Sequence, residues 1–275
     1  MGTNIYIQSD FLEPYDKYLH DPTGKIRWKR LSKGGRSRRD IFILMENYIN
    51  NHRYDPDQVV PHGTVQELFD KYEEQYVNGI YNTTWDRTGI QCPFSELIVY
   101  KDEMAHRGEG KELIDVEDAI KECPDALASV KLSGQQQYPI SYRNLFIGNK
   151  MFQLTYISLT DWWRSNCGQV HIIYEDWGEV KDVDRLLFTT LEETIIESPI
   201  FAFDYILMPV ATVGCPDGMD HRFYVDFNEA PGIPEEVIVN QYYDRRKGEV
   251  VPFTDIISAE EIALLAEKCL KSEKG

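Results

Sequence analysis

Cysteine is scarce in this 275-residue chain. Cys92, Cys123, Cys167, Cys215 and Cys269 are odd in number and scattered, and they include no Cys-x-x-Cys pair. The spacing therefore carries neither a disulfide framework nor a thiolate zinc motif, and a reducing cytoplasm is the compartment it fits. Long apolar runs are lacking as well. The longest, IFILM at 41–45, falls far short of the roughly 20 residues a membrane helix needs. The opening MGTNIYIQSDFLEP has no basic and apolar signal-peptide regions, and Tyr6 stands where a myristoylation signal has Ser or Thr. The expectation is a protein with neither an export signal nor a lipid anchor, so the sequon at Asn82-Thr83-Thr84 is read as chance. Positive charge is the third scarcity. With 46 acidic and 29 basic side chains the net charge is −17, which argues against wholesale wrapping by nucleic acid.

What is present describes a globular chain. It is 42% hydrophobic and 12% aromatic, without internal repeats or low-complexity tracts. Its few cations are concentrated. Residues 25–39, KIRWKRLSKGGRSRR, carry eight Lys or Arg and no acid, so the rest of the chain sums to −25. Gly34-Gly35 and weak apolar periodicity make this run read as a solvated loop, ending where Asp40 caps a helix, DIFILMENYINN. Its density also fits an anionic or phosphorylated substrate, or nucleic acid.

Further along, TVQELFDKYEEQY (64–76) is a helix with Val65, Leu68, Phe69 and Tyr72 on one face, and Thr64 with Glu67 forms a capping box. ELIVYK (96–101) reads as a buried strand running into the polar turn AHRGEGK, followed by a helix near 116–123 and the strand ASVKLS. YRNLFI, the turn Gly148-Asn149 and MFQLTYIS make a hairpin. Residues 183–197 are helical in period, the strands FAFDYILMP and RFYVDFN follow, and the helix AEEIALLAEKCLKS comes last. The fold class read from this order is α+β with mostly antiparallel hairpins.

Two of these strands carry charge where an apolar strand should not. Simple alternation in 222–228 puts Arg222, Tyr224, Asp226 and Asn228 on one face and Phe223, Val225 and Phe227 on the other. Asp204 is a lone acid inside the apolar FAFDYILMP. A buried carboxylate needs a partner or a cation. Two facing carboxylates and an amide oxygen suit Mg²⁺, which takes one or two carboxylates together with substrate phosphates. The alternative pairs Asp204 and Asp226 with Arg222 or Arg164. Elsewhere, Cys215 and His221 share one connection without a third group, and Trp162-Trp163 reads as core or as a base-stacking surface.

VDFNEAPGIP resembles the acid-x-Asn-x-x-Pro-Gly ending of the ATP-grasp superfamily, and the segments upstream follow in that family's order. The resemblance implies that Asp204, Asp226 and Asn228 bind the metal, with Asp226 where most members have Glu and Glu229 as a lesser contributor. SYRNLFIGNKMF resembles the family's Arg-bearing strand and assigns Arg143 to phosphate or acyl phosphate. DWWRSNCGQ resembles the Arg-Ser-Asn segment of the ribosomal-protein glutamate ligase branch and assigns Arg164 and Asn166 to the γ-phosphate and metal. Ordinary salt bridges across the hairpin are the alternative for Arg143 and Arg164. ELIVYK with HRGEGKEL resembles the strand lysine and Gly-rich lid over ATP phosphates, implying contacts from Lys101, Gly108, Glu109, Gly110 and Lys111. ASVKLS would present the adenine hinge, with Lys131 nearby, and VVPHGT resembles the family's Pro-x-Thr entry.

The resemblance covers about residues 38–240. It implies an ATP-grasp fold of two α+β lobes enclosing the nucleotide, with a basic segment 1–37 in place of a full preceding domain. Residues 38–275 form the grasp domain, about 64–132 the small nucleotide lobe and about 133–275 the metal lobe. No Gly-x-Gly-x-x-Gly fingerprint precedes it, and the usual first nucleotide lysine is not identifiable: either Arg39 replaces it or nothing does. The implied activity is ATP-dependent carboxylate-amine or carboxylate-thiol ligation through an acyl phosphate. ATP and Mg²⁺ or Mn²⁺ are the cofactors, and small-molecule or peptide carboxylates and amines are the substrates. The rivals are a small-molecule kinase acting on a phosphorylated acceptor and a degenerate nucleotide-binding partner subunit. No membrane is implied, and a homo-oligomer or partner subunit could complete the acceptor half.

Overall fold

The computed structural model describes residues 3–7, 17, 26–30, 37–49, 58–77, 83–85, 90–92, 96–104, 110–132, 140–148, 150–157, 169–176, 200–209, 220–228, 233–262 and 264. The chain begins with β1 (Thr3–Ile7) and β2 (Ile26–Arg30), a parallel pair. β2 lies inside the basic run expected to be a loop. Ile26 and Trp28 alternate with Arg27 and Lys29 there, a pattern that supports extended backbone. α1 (Arg38–Ile49) starts two residues before the expected cap. The cap is Ser37: its Oγ accepts from the Asp40 amide at 3.1 Å and donates to Asp40 Oδ2 at 2.8 Å, so Asp40 is the third helical residue.

β3 (Gln58–Val59) and β4 (His62–Thr64) lead into α2 (Val65–Val77). The expected capping box is present, with Glu67 Oε2 accepting from the Thr64 amide at 2.7 Å and Thr64 Oγ1 accepting from the Glu67 amide at 3.1 Å. The hairpin β5 (Thr83–Trp85) and β6 (Ile90–Cys92) precedes β7 (Glu96–Tyr100) and β8 (Lys111–Asp115). α3 (Val116–Glu122), capped by Asp115, and β9 (Leu127–Val130) follow. The expected hairpin is β10 (Ile140–Ile147) and β11 (Lys150–Ile157), closed in register by two residues, with Gly148 at φ 58°.

β12 (Gln169–Asp176), β13 (Ile200–Pro209) and β14 (Asp220–Asn228) complete the larger sheet. α4 (Glu235–Val239), the hairpin β15 (Gln241–Asp244) and β16 (Glu249–Pro252), and α5 (Phe253–Ile256) end the regular elements. Ser258 and Glu261 then cap the start of the last expected helix. The helix expected at 183–197 lies outside the described residues. No helix among the described residues is long and apolar enough to cross a membrane.

The architecture is α+β, as the sequence pattern leads one to expect. The larger sheet runs β12-β11-β10-β13-β14-β3, antiparallel except for the last pair, and the smaller sheet, β4-β9-β7-β8, is antiparallel throughout. Alternation along the larger sheet feeds two cores. Phe146, Met151, Phe201, Phe203 and Phe227 pack with α1, α2 and the smaller sheet. Leu145, Ile147, Phe152, Leu154 and Ala202 pack with Ile233, Val237, Tyr242 and Phe253. Residues 58–64 serve both sheets: Gln58 and Val59 pair with β14, the Val60 amide donates to Tyr224 O at 2.9 Å, and His62–Thr64 pair with β9.

Candidate functional site

Arg143, Asp204 and Asp226 form one row across three adjacent strands, because Arg143 is the register partner of Asp204 and Asp204 that of Asp226. Directly opposed residues share a sheet face. The row therefore continues the face of Leu145, Ile147 and Ala202, where apolar packing gives way to charge. Asn228, two residues beyond Asp226, is placed opposite Ala202 on that face.

Simple alternation does not extend to the rest of β14. The register shifts at Asp204/Tyr205, so that Tyr205 opposes Tyr224 and Val225 is the extra residue of a bulge. Tyr224 consequently packs its ring on Phe203 and Tyr205, at 5.7 and 5.8 Å, and Arg222 lies over Tyr205 at 5.2 Å. Neither shares the Asp226 face, contrary to the expectation from spacing. The bulge re-aims the strand beside its charged end.

Each carboxylate is held by a guanidinium. Arg143 Nε and Nη2 donate to the two Asp204 oxygens, both at 2.6 Å, in a two-point pair with side-chain exposures of 11% and 3%. Burial works against the Arg143 charge, yet Asp204 outweighs it and holds the pKa well above the ordinary arginine value. Asp226 Oδ1 takes Arg38 Nη1 at 2.8 Å and the Phe227 amide at 2.9 Å. Arg38 also reaches Val225 O at 3.4 Å, and its own amide donates to Glu103 O at 2.8 Å, which fixes the head of α1 against β7 and its following turn. Burial opposes its charge too, and Asp226 more than compensates.

Tyr100 forms a shelf beside this row. The Arg38 guanidinium lies 5.4 Å from its ring centroid and Lys111 Nζ 5.6 Å from the same ring. Lys111 is the register partner of Tyr100 on β8, so one side of the hairpin presents both. Burial first, and then the neighbouring Arg38 charge, push the Lys111 amine down to about 8. Tyr100 donates to or accepts from Ser129 Oγ at 3.0 Å, and burial raises its phenol. On the Arg143 side, burial lifts Tyr156 to about 12.

Sequence reasoning singled out Arg143, Lys111, Asp204, Asp226 and Asn228, and these are gathered here. Lys101 is instead exposed and pairs with Glu112 at 3.2 Å, while Lys131 pairs with Glu96. Gly110, at φ 66°, accepts from the Lys101 amide at 2.7 Å and shapes the hairpin. Arg39 is exposed on Glu103 at 3.3 Å, so the inward-facing member of the doublet is Arg38, which the sequence reading passed over. Its signal was the Arg38-Arg39 doublet inside the Ser37-x-x-Asp40 cap. Arg164, Asn166, Gly108, Glu109, Glu229, Cys215 and Trp162-Trp163 lie outside the described residues, as do the side chains of His221 and the N-terminal basic strand.

The donor chemistry suits a hard divalent cation. Asp204 and Asp226 are register partners on neighbouring strands and Asn228 lies two residues beyond Asp226 on the same face, while no group of three or more His, Cys, Asp or Glu that could hold a metal forms among the described residues. Mg²⁺ commonly uses this number of protein carboxylates, drawing its remaining ligands from water and phosphate.

Among the solved structures that resemble this chain are the following two. One is the macrocyclase MdnC bound with precursor peptide MdnA from Microcystis aeruginosa MRC, at 10% identity and TM-score 0.42, covering 87% of this chain and 64% of that one. The chain thus spans about two-thirds of the macrocyclase's length, 64%. The other is D-alanine–D-alanine ligase from Bacillus anthracis complexed with ATP, at 8% identity and TM-score 0.43, with 100% of each chain covered. No family model and no curated protein matches the chain.

Proposed function

We propose that the chain is an ATP-dependent ligase of the ATP-grasp type, joining a carboxylate to an amine or thiol. The observation that carries this reading is the buried charged row Arg143-Asp204-Asp226, flanked by Arg38 and Lys111, at the charged end of the VDFNEAPGIP motif strand. Asp204, Asp226 and Asn228 would hold Mg²⁺ or Mn²⁺, which supplies charge neutralisation at the transferring phosphoryl oxygens. Arg143, Arg38 and Lys111 surround the carboxylates with three cations, the complement of a polyphosphate and of an acyl phosphate. Arg164 and Asn166 are assigned to the γ-phosphate and metal, and Gly108 and Gly110 to the phosphate lid, on their motifs alone.

In the proposed reaction a substrate carboxylate oxygen attacks the γ-phosphorus, the bond to the β–γ bridging oxygen breaks, and ADP leaves. The amine or thiol then attacks the acyl carbon, phosphate departs, and the nucleophile releases its proton. No protein nucleophile is needed. The protein's part is positioning and electrostatic stabilisation in a water-poor site.

The test is a thermal-shift titration with Mg·ATP on the wild type, Asp226→Ala and Asn228→Ala, followed by ADP release over pooled carboxylates and amines. Stabilisation present in the wild type and lost in both variants, with ADP release requiring an amine or thiol, is the expected result. ADP release with an alcohol and no amine would replace the ligase by a kinase. No stabilisation of the wild type would sink the reading.

A further inference from the structure

The two ion pairs of the charged row are built differently. Arg143 and Asp204 are fixed opposite each other by strand register, and the guanidinium occupies both carboxylate oxygens at 2.6 Å. Arg38 reaches Asp226 from another element through a single nitrogen at 2.8 Å, and that nitrogen also faces Val225 O at 3.4 Å. Of the two, the Arg38 pair is the one that can exchange partners without breaking a two-point contact.

Charge around that pair is unbalanced. Among the described residues, Arg38, Lys111 and Arg143 face Asp204 and Asp226, one cation in excess, and Arg38 and Lys111 lie against the same Tyr100 ring. A divalent cation placed at Asp226 adds positive charge next to Arg38 and Lys111. An anion placed at Arg38 meets the Asp226 carboxylate. Each ligand alone therefore encounters like charge, and the two together cancel it.

We propose that Arg38 is an exchangeable counter-ion of Asp226: a divalent cation takes over the carboxylate and the released guanidinium, beside Lys111, takes a phosphate-bearing anion. Cation and anion thus bind this site cooperatively, each poorly without the other. Arg38 acts as a positioning residue that ties occupancy of the carboxylate site to occupancy of the anion site. The inference rests on the metal assignment of Asp226 in the proposed function and goes beyond it in naming the residue that couples the two ligands.

Isothermal titration calorimetry on the full chain tests it, with Mn²⁺ alone, tripolyphosphate alone, tripolyphosphate in saturating Mn²⁺, and Mg·ATP as a probe of the site. In the wild type Mn²⁺ alone should bind weakly and tripolyphosphate with Mn²⁺ at least ten times more tightly than tripolyphosphate alone. Arg38→Ala should strengthen binding of Mn²⁺ alone at least tenfold, because Asp226 loses its counter-ion, and weaken tripolyphosphate in saturating Mn²⁺ by a similar factor. Arg38→Lys should give intermediate values, and Lys121→Ala, a surface change on α3, should match the wild type. A wild type that binds Mn²⁺ equally well with and without tripolyphosphate overturns the inference while leaving the proposed function standing, and this reading needs no variant to fold. Arg38→Ala weakening Mn²⁺ alone also overturns it. A wild type that binds neither Mn²⁺ nor Mg·ATP removes both.

Discussion

Arg143 and Asp204 face each other directly across β10 and β13 and close a two-point ion pair, 2.6 Å at each contact, inside the larger sheet. Both groups have left water, so either one without the other is a bare buried charge. Arg143→Met should lower the unfolding free energy by about 3–5 kcal/mol. The double variant Arg143→Met/Asp204→Leu should recover much of that loss. Urea denaturation of the two single variants and the pair, analysed as a double-mutant cycle, measures the difference. Additive losses would show that the pair is not coupled.

Lys111 lies among Arg38, Asp226, Asp204 and the Tyr100 ring, and its amine loses its proton near pH 8. Burial and the Arg38 charge, the causes of that drop, both disfavour the ammonium form. In the unfolded chain the proton stays on until the ordinary amine value of 10.5. Between those two values the unfolded state binds more protons, so stability rises with pH across this window. Melting temperatures from pH 8 to 10.5 should show a rising contribution in the wild type that Lys111→Met lacks. Tripolyphosphate affinity should fall through the same midpoint, and an unchanged pH profile in Lys111→Met would remove Lys111 from the site.

The capping box of α2 offers a local test. Thr64→Ala should cost about 1 kcal/mol, since the Glu67 amide loses its acceptor. Backbone and side-chain hydrogen bonds from Thr64 hold the Glu67 carboxyl below the usual range. Its contribution is therefore present above the unfolded carboxyl pKa and is lost as pH falls through the depressed one. Chemical denaturation at pH 7 and pH 3 should show the cost of Glu67→Ala shrinking at the lower pH, while that of Thr64→Ala, whose backbone amide still donates to Glu67, changes less.

Gly148 turns the β10-β11 hairpin at φ 58°, a conformation an L side chain adopts at a cost. Gly148→Ala should destabilise by roughly 1 kcal/mol and Gly148→Asn by less, because asparagine tolerates this region better. Equal midpoints for the three proteins in urea would contradict the turn geometry.

Much of this fold could be read where information is local. The two-residue turn at Gly148, the Thr64-Glu67 box and the apolar alternation of β10 and β11 each involve neighbours in the sequence. Asp204, Asp226 and Asn228 were legible because acids are conspicuous in apolar strands, and Arg143 through its motif. Arg38 was not, since its partner lies on β14 and nothing in the basic run distinguishes it from Arg39 until α1 is docked. The bulge at Val225 escaped as well. It inserts a residue without a glycine to mark it, and alternation then assigns Tyr224 and Arg222 to the wrong face. Lys101 was assigned to phosphate and Lys131 to the neighbourhood of the adenine hinge, and spacing alone does not show that they pair with Glu112 and Glu96. The β15-β16 hairpin had a visible signal in Gly248, at φ 70°, that went unread.

The short run from Gln58 to Thr64 belongs to both sheets, and its first half is hydrogen-bonded to the same strand that carries Asp226. The smaller sheet is thereby tethered to the floor of the charged row, with Val60 and Pro61 as the only residues between the two pairings. A displacement of that sheet would therefore load these hydrogen bonds to β14. The link that joins the two sheets is thus also a link to the acid-bearing strand.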